Sequence, residues 1–359
     1  LEKYVIKVRC THSVLFFSWL FLIFLSCAVS EISKKTTSLP LHHKRDGFTN
    51  IYNNPQHGFG KFLKWRLGLM PQETNPIDPD SLKSYHPLIV EPDTIRFQHP
   101  AADKIQITWF GHCSFLIQMM GKNILTDPVF SKFASPIPFL GPQREVPLPM
   151  PLDHLPPIDI VIISHDHYDP LDKSTIKHLG NKPKYFVPLK LRKWFQDPGI
   201  INVVELDWWQ SEMMDSLRFT AVPAQHFSGR LPFQFNKTLW AGWVIEAAGE
   251  KIYFAGDTGY GPHFKEIAER MGKIKIAFLP IGAYRPYWFM KAIHIDPAEA
   301  VQAYYDLNAE YAIGMHWGTF KLSDEPLGEP PLYLKKVLQA AESGKDKMIL
   351  LQFGETVEF

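Results

Sequence analysis

A chain of 359 residues with 45% hydrophobic and 21% charged side chains has globular composition, enough for one large domain or two small ones. Its formal net charge of +1 gives no electrostatic case for nucleic acid as a partner. Of the three cysteines, Cys10 and Cys27 lie in the N-terminal thirty residues; without that segment Cys113 stands alone, which excludes a disulfide framework and a cysteine-built zinc finger.

The first thirty residues read as targeting. Lys3, Lys7 and Arg9 make a basic n-region, "VLFFSWLFLIFLSCAV" (14–29) is almost unbroken apolar sequence, and "AVS" ahead of Glu31 is a small-residue cleavage site. The expectation is a cleaved signal peptide over 1–30 or an uncleaved signal-anchor, because about 16–18 apolar residues nearly span a bilayer. "FLSC" also resembles a lipoprotein acylation box, with Phe24 a poor match at its first position. Each reading exports the chain or places it on a membrane.

Residues 31–103 form a polar, proline-rich extension. Its one short amphipathic candidate, Phe62 to Leu69, is either a cover packed over the core or a membrane-facing or substrate-gating element. The 104–359 stretch changes character. "KIQITWF", "SFLIQMM", "KNILTD", "IDIVIIS", "KYFVP", "NVVEL", "LRFTAVP", "WAGWVIEA", "EKIYFAGD", "IKIAFLP", "AEYAIGMH" and "KMILLQF" are short strand-like runs bounded by turn residues. "DKSTIKHL", "LRKWFQ", "PHFKEIAERMG", "DPAEAVQAYYDLN" and "PPLYLKKVLQAAES" between them read as helices. In the fourth, Asp296 is an N-cap, Pro297 suits the first turn and Glu299 sits at the capping-box position. Hairpins followed by strands alternating with helices predict an α/β fold of mixed sheets covered by helices.

Ligand-type residues gather just after the strand-like runs: His165 and His167 after "IDIVIIS", His226 after "LRFTAVPAQ", Asp257 after "EKIYFAG" and His316 after "AEYAIGM". A strand end holds the backbone rigidly while the loop beyond lets a side chain reach into a cleft. Imidazoles with a few carboxylates and no thiolate suit zinc, with iron or manganese as alternatives. His165, His167 and His226 would leave a coordination position open for water, as catalytic zinc sites do. Asp257 would bridge to a second ion, completed by Asp169 and His316.

"SHDHYDPLD" resembles the HxHxDH signature of the metallo-β-lactamase fold. Together with "ITWFGHCSFLIQ", "LTDPVFS", "ASPIPFLGP", "VVELDWW", "FAGDTGY", "PIGAYRPYWFMKAIHIDPAEAV" and "HWGTF", the chain from about residue 40 onward resembles the N-acylphosphatidylethanolamine-hydrolysing phospholipase D family. The resemblance implies a four-layer αβ/βα sandwich with one or two zinc ions at the edge between two sheets. It also implies a membrane phospholipid substrate cleaved to N-acylethanolamine and phosphatidic acid. Position by position, it implies His165, His167 and His226 on the first ion, Asp169, Asp257 and His316 on the second, and a further role for His294 near the site. Asp169, Asp257 and His294 are the residues expected to take part in catalysis.

The departure is Pro170, which stands where the family has a second-ion histidine and offers no donor atom. The chain is then a two-zinc enzyme with a loosely held second ion, a one-zinc enzyme, or an inactive metal- or lipid-binding relative. A lactone, β-lactam or soluble phosphodiester is the alternative substrate. Among the remaining residues, Gly111 is expected at a tight turn, His112 in a supporting role, and Cys113 as a small buried hydrophobe. The glycines around Asp257 allow a sharp turn rather than a nucleotide loop. The run Tyr284, Arg285, Tyr287, Trp288, Phe289 is either a packed loop or a pocket wall, and Asp207, Trp208 and Trp209 are expected in the core. A homo-oligomer is compatible with this sequence.

Overall fold

The computed structural model describes residues 39–52, 58–70, 73–101, 103–137, 139–231, 233–341 and 347–359. The targeting segment expected over 1–30 lies outside the described residues, among which no helix is long and apolar enough to cross a membrane. Two compact units divide the chain, Leu1–Leu41 and His42–Phe359, and both large sheets belong to the second.

A short hairpin, β1 (His43–Lys44) with β2 (Gly47–Phe48), opens this unit. The first large sheet is built from β3 (Gln106–Trp109), β4 (Phe115–Met119), β5 (Lys122–Thr126), β6 (Ile160–Ile162), β7 (Lys184–Pro188) and β8 (Val203–Leu206). The second comprises β9 (Ser211–Met214), β10 (Leu217–Val222), β11 (Gly242–Ala247), β12 (Glu250–Phe254), β13 (Ile274–Pro280), β14 (Ala309–Met315) and β15 (Met348–Ile349). The last strand, β16 (Thr356–Glu358), returns to the first sheet beside β3. Both sheets share one plan. Hairpin strands pair antiparallel (β3-β4-β5 and β9-β10-β11-β12), then crossover strands pair parallel (β5-β6-β7-β8 and β12-β13-β14-β15). Parallel neighbours require a crossover, which helices supply except between β5 and β6, where the described residues hold only a 3-10 turn at Leu152–His154. Lys173–Leu179 and Arg192–Gln196 serve the first sheet; His263–Met271, Pro297–Asp306 and Glu329–Ala340 serve the second. This is the α/β, four-layer αβ/βα sandwich that the sequence led us to expect.

Successive side chains of a strand point to opposite faces, so a strand covered on both sides reads as continuous apolar sequence. In β6, Ile160 and Ile162 enter the layer between the sheets while Val161 lies under the outer helices. The inner layer is stitched by aromatic pairs from opposite sheets: Phe115 against Phe278 at 4.6 Å and Phe186 against Phe219 at 4.3 Å between ring centroids. Truncating one of these buried rings costs about 3–5 kcal/mol. The buried polar pair Gln106 and Gln118 face each other across β3 and β4 and share a 2.6 Å hydrogen bond, so neither amide is stranded.

Helix Pro297–Asp306 starts as its sequence demands, with Asp296 accepting from the Glu299 amide and Glu299 reaching back in a capping box. The segment ahead of β3 is fastened to the core. Val90 donates to the Phe353 carbonyl at 2.7 Å and Phe97 is buried against Phe110. The amphipathic candidate Phe62 to Leu69 is helical only as far as Arg66, within helix Phe59–Arg66; Trp65 of this helix meets Phe289 and donates to Asp324, while Leu63 and, beyond the helix end, Leu67 and Leu69 are exposed.

Candidate metal centre

The chemistry-bearing residues sit beyond the C-terminal ends of strands from both sheets. Asp127 follows β5, the His165–Asp169 turn follows β6, His226 follows β10, Asp257 follows β12 and His316 follows β14. His294 comes from the β13 to Pro297–Asp306 connection and His112 from the β3–β4 turn.

The turn after β6 is held by contacts from distant parts of the chain. Ser164 donates its amide and hydroxyl to Asp127, at 2.7 and 2.6 Å. Asp166 is turned away from the cluster and accepts from the Gly229 amide at 2.6 Å. The Arg230 guanidinium lies over Tyr168 and donates to the carbonyls of Asp166, His167 and Leu171 at 2.9, 3.0 and 2.9 Å. Gly256, with φ of 60°, permits the bend into Asp257, and a Cβ there would lie 2.4 Å from that of Ser164.

With the loops so placed, two donor sets converge. Ring nitrogens of His165, His167 and His226 form one: His167 Nδ1 is 2.8 Å from His165 Nε2 and 3.3 Å from His226 Nε2. Asp169, Asp257 and His316 form the other. Asp257 faces both, its Oδ2 lying 3.7 and 3.8 Å from His165 and His226 and its Oδ1 3.1 Å from His316 Nε2. His294 stands beside His226 and His316, with ring centroids 5.1 and 5.2 Å away. His112 Nε2 lies 2.8 Å from Asp169 Oδ2, and Cys113 behind it is buried. Burial pushes the Cys113 thiol well up, so it stays protonated.

The donor chemistry fits a cation. His226 Nδ1 lies 2.9 Å from the Ile293 carbonyl, which can only accept; Nδ1 therefore carries the proton and Nε2 keeps its lone pair. The Ser164 hydroxyl donates to Asp127 Oδ2 at 2.6 Å, so Ser164 Oγ accepts from His165 Nδ1 at 2.8 Å and His165 Nε2 keeps its lone pair for a cation. His294 Nδ1 is buried without a protein partner. Burial, then neighbouring imidazoles, hold His165 well below the ordinary histidine range; burial and His226 hold His167 at about 4. Burial alone would raise Asp257, yet His316 and His165 pull it well below the usual carboxylate range. Burial lowers His316 but Asp257 and Asp169 outweigh it, lifting the ring to about 10. The two carboxylates thus favour positive charge between them, and a cation held there would compete with the His316 proton.

A cleft of about 260 Å³ opens beside His316, lined by Glu145, Trp317, Phe320 and Lys321. It meets a second, of about 510 Å³, at Lys321 and Pro326, where Trp65, Arg285 and Trp288 form the walls. The aromatic run therefore serves two ends. Arg285 and Trp288 face the cleft, whereas Tyr284 is buried, donating to Glu329 at 2.7 Å. Trp208 is core; Trp209 is half-buried under Arg270. Pro170 is buried and contributes no donor.

Comparison with known proteins accords with this geometry. The family described as "Beta-lactamase superfamily domain" matches residues 122–317, more than half of the chain. The chain belongs to the metallo-β-lactamase superfamily. Within that superfamily it is 36% identical over 343 residues to N-acyl-phosphatidylethanolamine-hydrolyzing phospholipase D 1 of Caenorhabditis elegans, covering 91% of this chain and 95% of the relative. It is 38% identical over 261 residues to the mitochondrial N-acyl-phosphatidylethanolamine-hydrolyzing phospholipase D of Saccharomyces cerevisiae, covering 69% and 55%. A solved metallo-hydrolase of Ignicoccus hospitalis superposes with a TM-score of 0.54 at 25% identity, over 71% of this chain and 98% of that one. The chain is thus a metallo-β-lactamase-fold hydrolase, and the sharing of Asp257 between two donor sets is this superfamily member's central feature.

Proposed function

We propose that this hydrolase is a zinc-dependent phosphodiesterase of the phospholipase D type, releasing N-acylethanolamine and phosphatidic acid from N-acylphosphatidylethanolamine. The observation that carries the reading is Asp257 facing an all-imidazole set through one oxygen and an imidazole-carboxylate set through the other. The names of the worm and yeast relatives supply the substrate.

His165, His167, His226 and Asp257 would hold one zinc, and Asp169, Asp257 and His316 a second. Such ions acidify water near neutral pH and neutralise charge on a phosphodiester. The protein's own contributions are orientation and charge. Asp169, held by His112 at 2.8 Å, would help orient the attacking water. His294, kept neutral by burial beside Asp257 and His226, can donate to a phosphoryl oxygen. Lys321 lines both clefts, a cation along the approach of an anionic lipid. With Pro170 in place, Asp169, Asp257 and His316 would be the protein ligands left for a second ion, which would be the more weakly held. Export or membrane attachment belongs to the same reading: the apolar 14–29 segment and the exposed Leu63, Leu67 and Leu69 suit a lipid surface.

The test is hydrolysis of N-acylphosphatidylethanolamine vesicles by purified, zinc-loaded protein. His165→Ala or Asp257→Asn should abolish turnover; full activity in both ends the proposal. A rate indifferent to acyl-chain length favours a soluble substrate instead, and absence of both bound metal and turnover favours an inactive relative.

A further inference from the structure

A second cluster of ligand-type side chains lies apart from the centre and shares no residue with it: His42, His43 and Asp207. Asp207 follows β8, at the edge of the first sheet, whereas the two histidines open the β1–β2 hairpin some 165 positions earlier in the chain. Consecutive residues on an extended strand point to opposite sides. Here a turn ending at His42 brings both imidazoles to one carboxylate, His42 Nε2 to Oδ1 and His43 Nε2 to Oδ2, each at 2.7 Å.

The rings are not free to leave. His42 stacks on Trp208 with centroids 4.2 Å apart, and His43 packs edge-on against Phe48 at 5.1 Å. Asp207 is anchored by the Trp208 amide, which donates to Oδ1 at 2.9 Å. Burial works against ionising this carboxyl, but His42 and His43 prevail and hold it below its ordinary range, so it is an anion at neutral pH. Two imidazole nitrogens and a carboxylate, locked by aromatic packing and solvent-accessible on the His43 side, are a borderline-soft donor set with room for water.

We propose that His42, His43 and Asp207 form a separate structural site for a zinc-class divalent cation, which clips the N-terminal hairpin to the turn after β8. Closing a loop of that length removes freedom from the unfolded chain, so the ion acts as a stabilising clasp rather than a catalyst. The competing arrangement is a clasp made of hydrogen bonds alone, each Nε2–H donating to one oxygen of Asp207.

His43→Gln separates the two, because the amide can still donate to Asp207 Oδ2 but replaces an imidazole ligand with a poor one. Wild type and variant are stripped with chelator, dialysed against zinc alone and freed of loose ion; zinc per chain is then measured, with circular dichroism checking the fold. The expected result is one zinc fewer per chain in His43→Gln, and a zinc-dependent rise in the urea midpoint that the variant lacks. A double variant, His165→Ala with Asp257→Asn, which disables both donor sets of the centre, should retain the same single ion. Equal zinc content in wild type and His43→Gln, or no zinc in the double variant with His42, His43 and Asp207 intact, overturns the proposal. Because no lipid enters this assay, its outcome is independent of the proposed phospholipase activity.

Discussion

His112 Nε2 lies 2.8 Å from Asp169 Oδ2, and its ring packs on His316 at 4.1 Å, so one buried histidine braces two members of the second donor set. Ligand-supporting groups of this kind typically carry 10–100-fold in metal affinity. His112→Ala is expected to weaken the second ion by about 10–100-fold and leave the first little changed, as read by chelator competition. Equal weakening of both ions would show that the substitution damages the whole centre.

Pro170 is expected to limit the second site. Pro170→His should raise the metal content per chain under limiting zinc, measured by elemental analysis. Unchanged content would mean that the histidine cannot reach the ion from this backbone, and that Asp169, Asp257 and His316 alone define the site.

The Asp127–Ser164–His165 chain fixes which ring nitrogen of His165 is free. Ser164→Ala and Asp127→Asn should each weaken the first ion by about 10–100-fold, and the double variant should be little worse than either single one. Additive losses would show that the two residues act separately.

Gly282 packs on the segment that carries His316. A Cβ at this position would sit 2.0 Å from the His316 carbonyl oxygen, an overlap of backbone with no flexible group to yield. Gly282→Ala should lower stability by roughly 2–4 kcal/mol in urea unfolding and release second-site metal. Gly58→Ala, where nothing lies within 4 Å, is the comparison and should shift stability far less.

His263 is buried beneath its helix, and burial holds the ring at about 3 against an ordinary 6.5. The unfolded chain therefore binds a proton below pH 6.5 that the folded chain refuses. The associated stability is complete above that pH and falls by about 1.4 kcal/mol per unit as pH drops toward the folded value. The difference in unfolding free energy between wild type and His263→Gln should thus change between pH 7.5 and 5. A pH-independent difference would place the proton elsewhere.

Sequence and structure meet unevenly. His165, His167, His226, Asp257 and His316 could be singled out because strand ends deliver side chains to an edge, and a ligand-type residue there is visible in one dimension. The capping box of Asp296 and Glu299 is equally local. What the sequence concealed are partnerships across the chain: Asp127 with Ser164, Arg230 on the carbonyls of the β6 turn, and Asn50 bonded to both the amide and carbonyl of His226 from 176 positions away. Local pattern carries no trace of such contacts until the sheets register. Asp207, expected simply in the core, shows the same blindness, since its two histidines come from the opposite end of the chain. Asp166 is the converse case: adjacent to the ligands in sequence, it turns outward to the Gly229 amide.

His165, His167 and Asp169 ride on one sheet, while His226, Asp257 and His316 ride on the other. Any ion seated among them therefore works as a rivet through the seam of the sandwich. Starved of metal, such a protein would lose durability along with chemistry, and scarcity of the ion would register first as a shorter working lifetime.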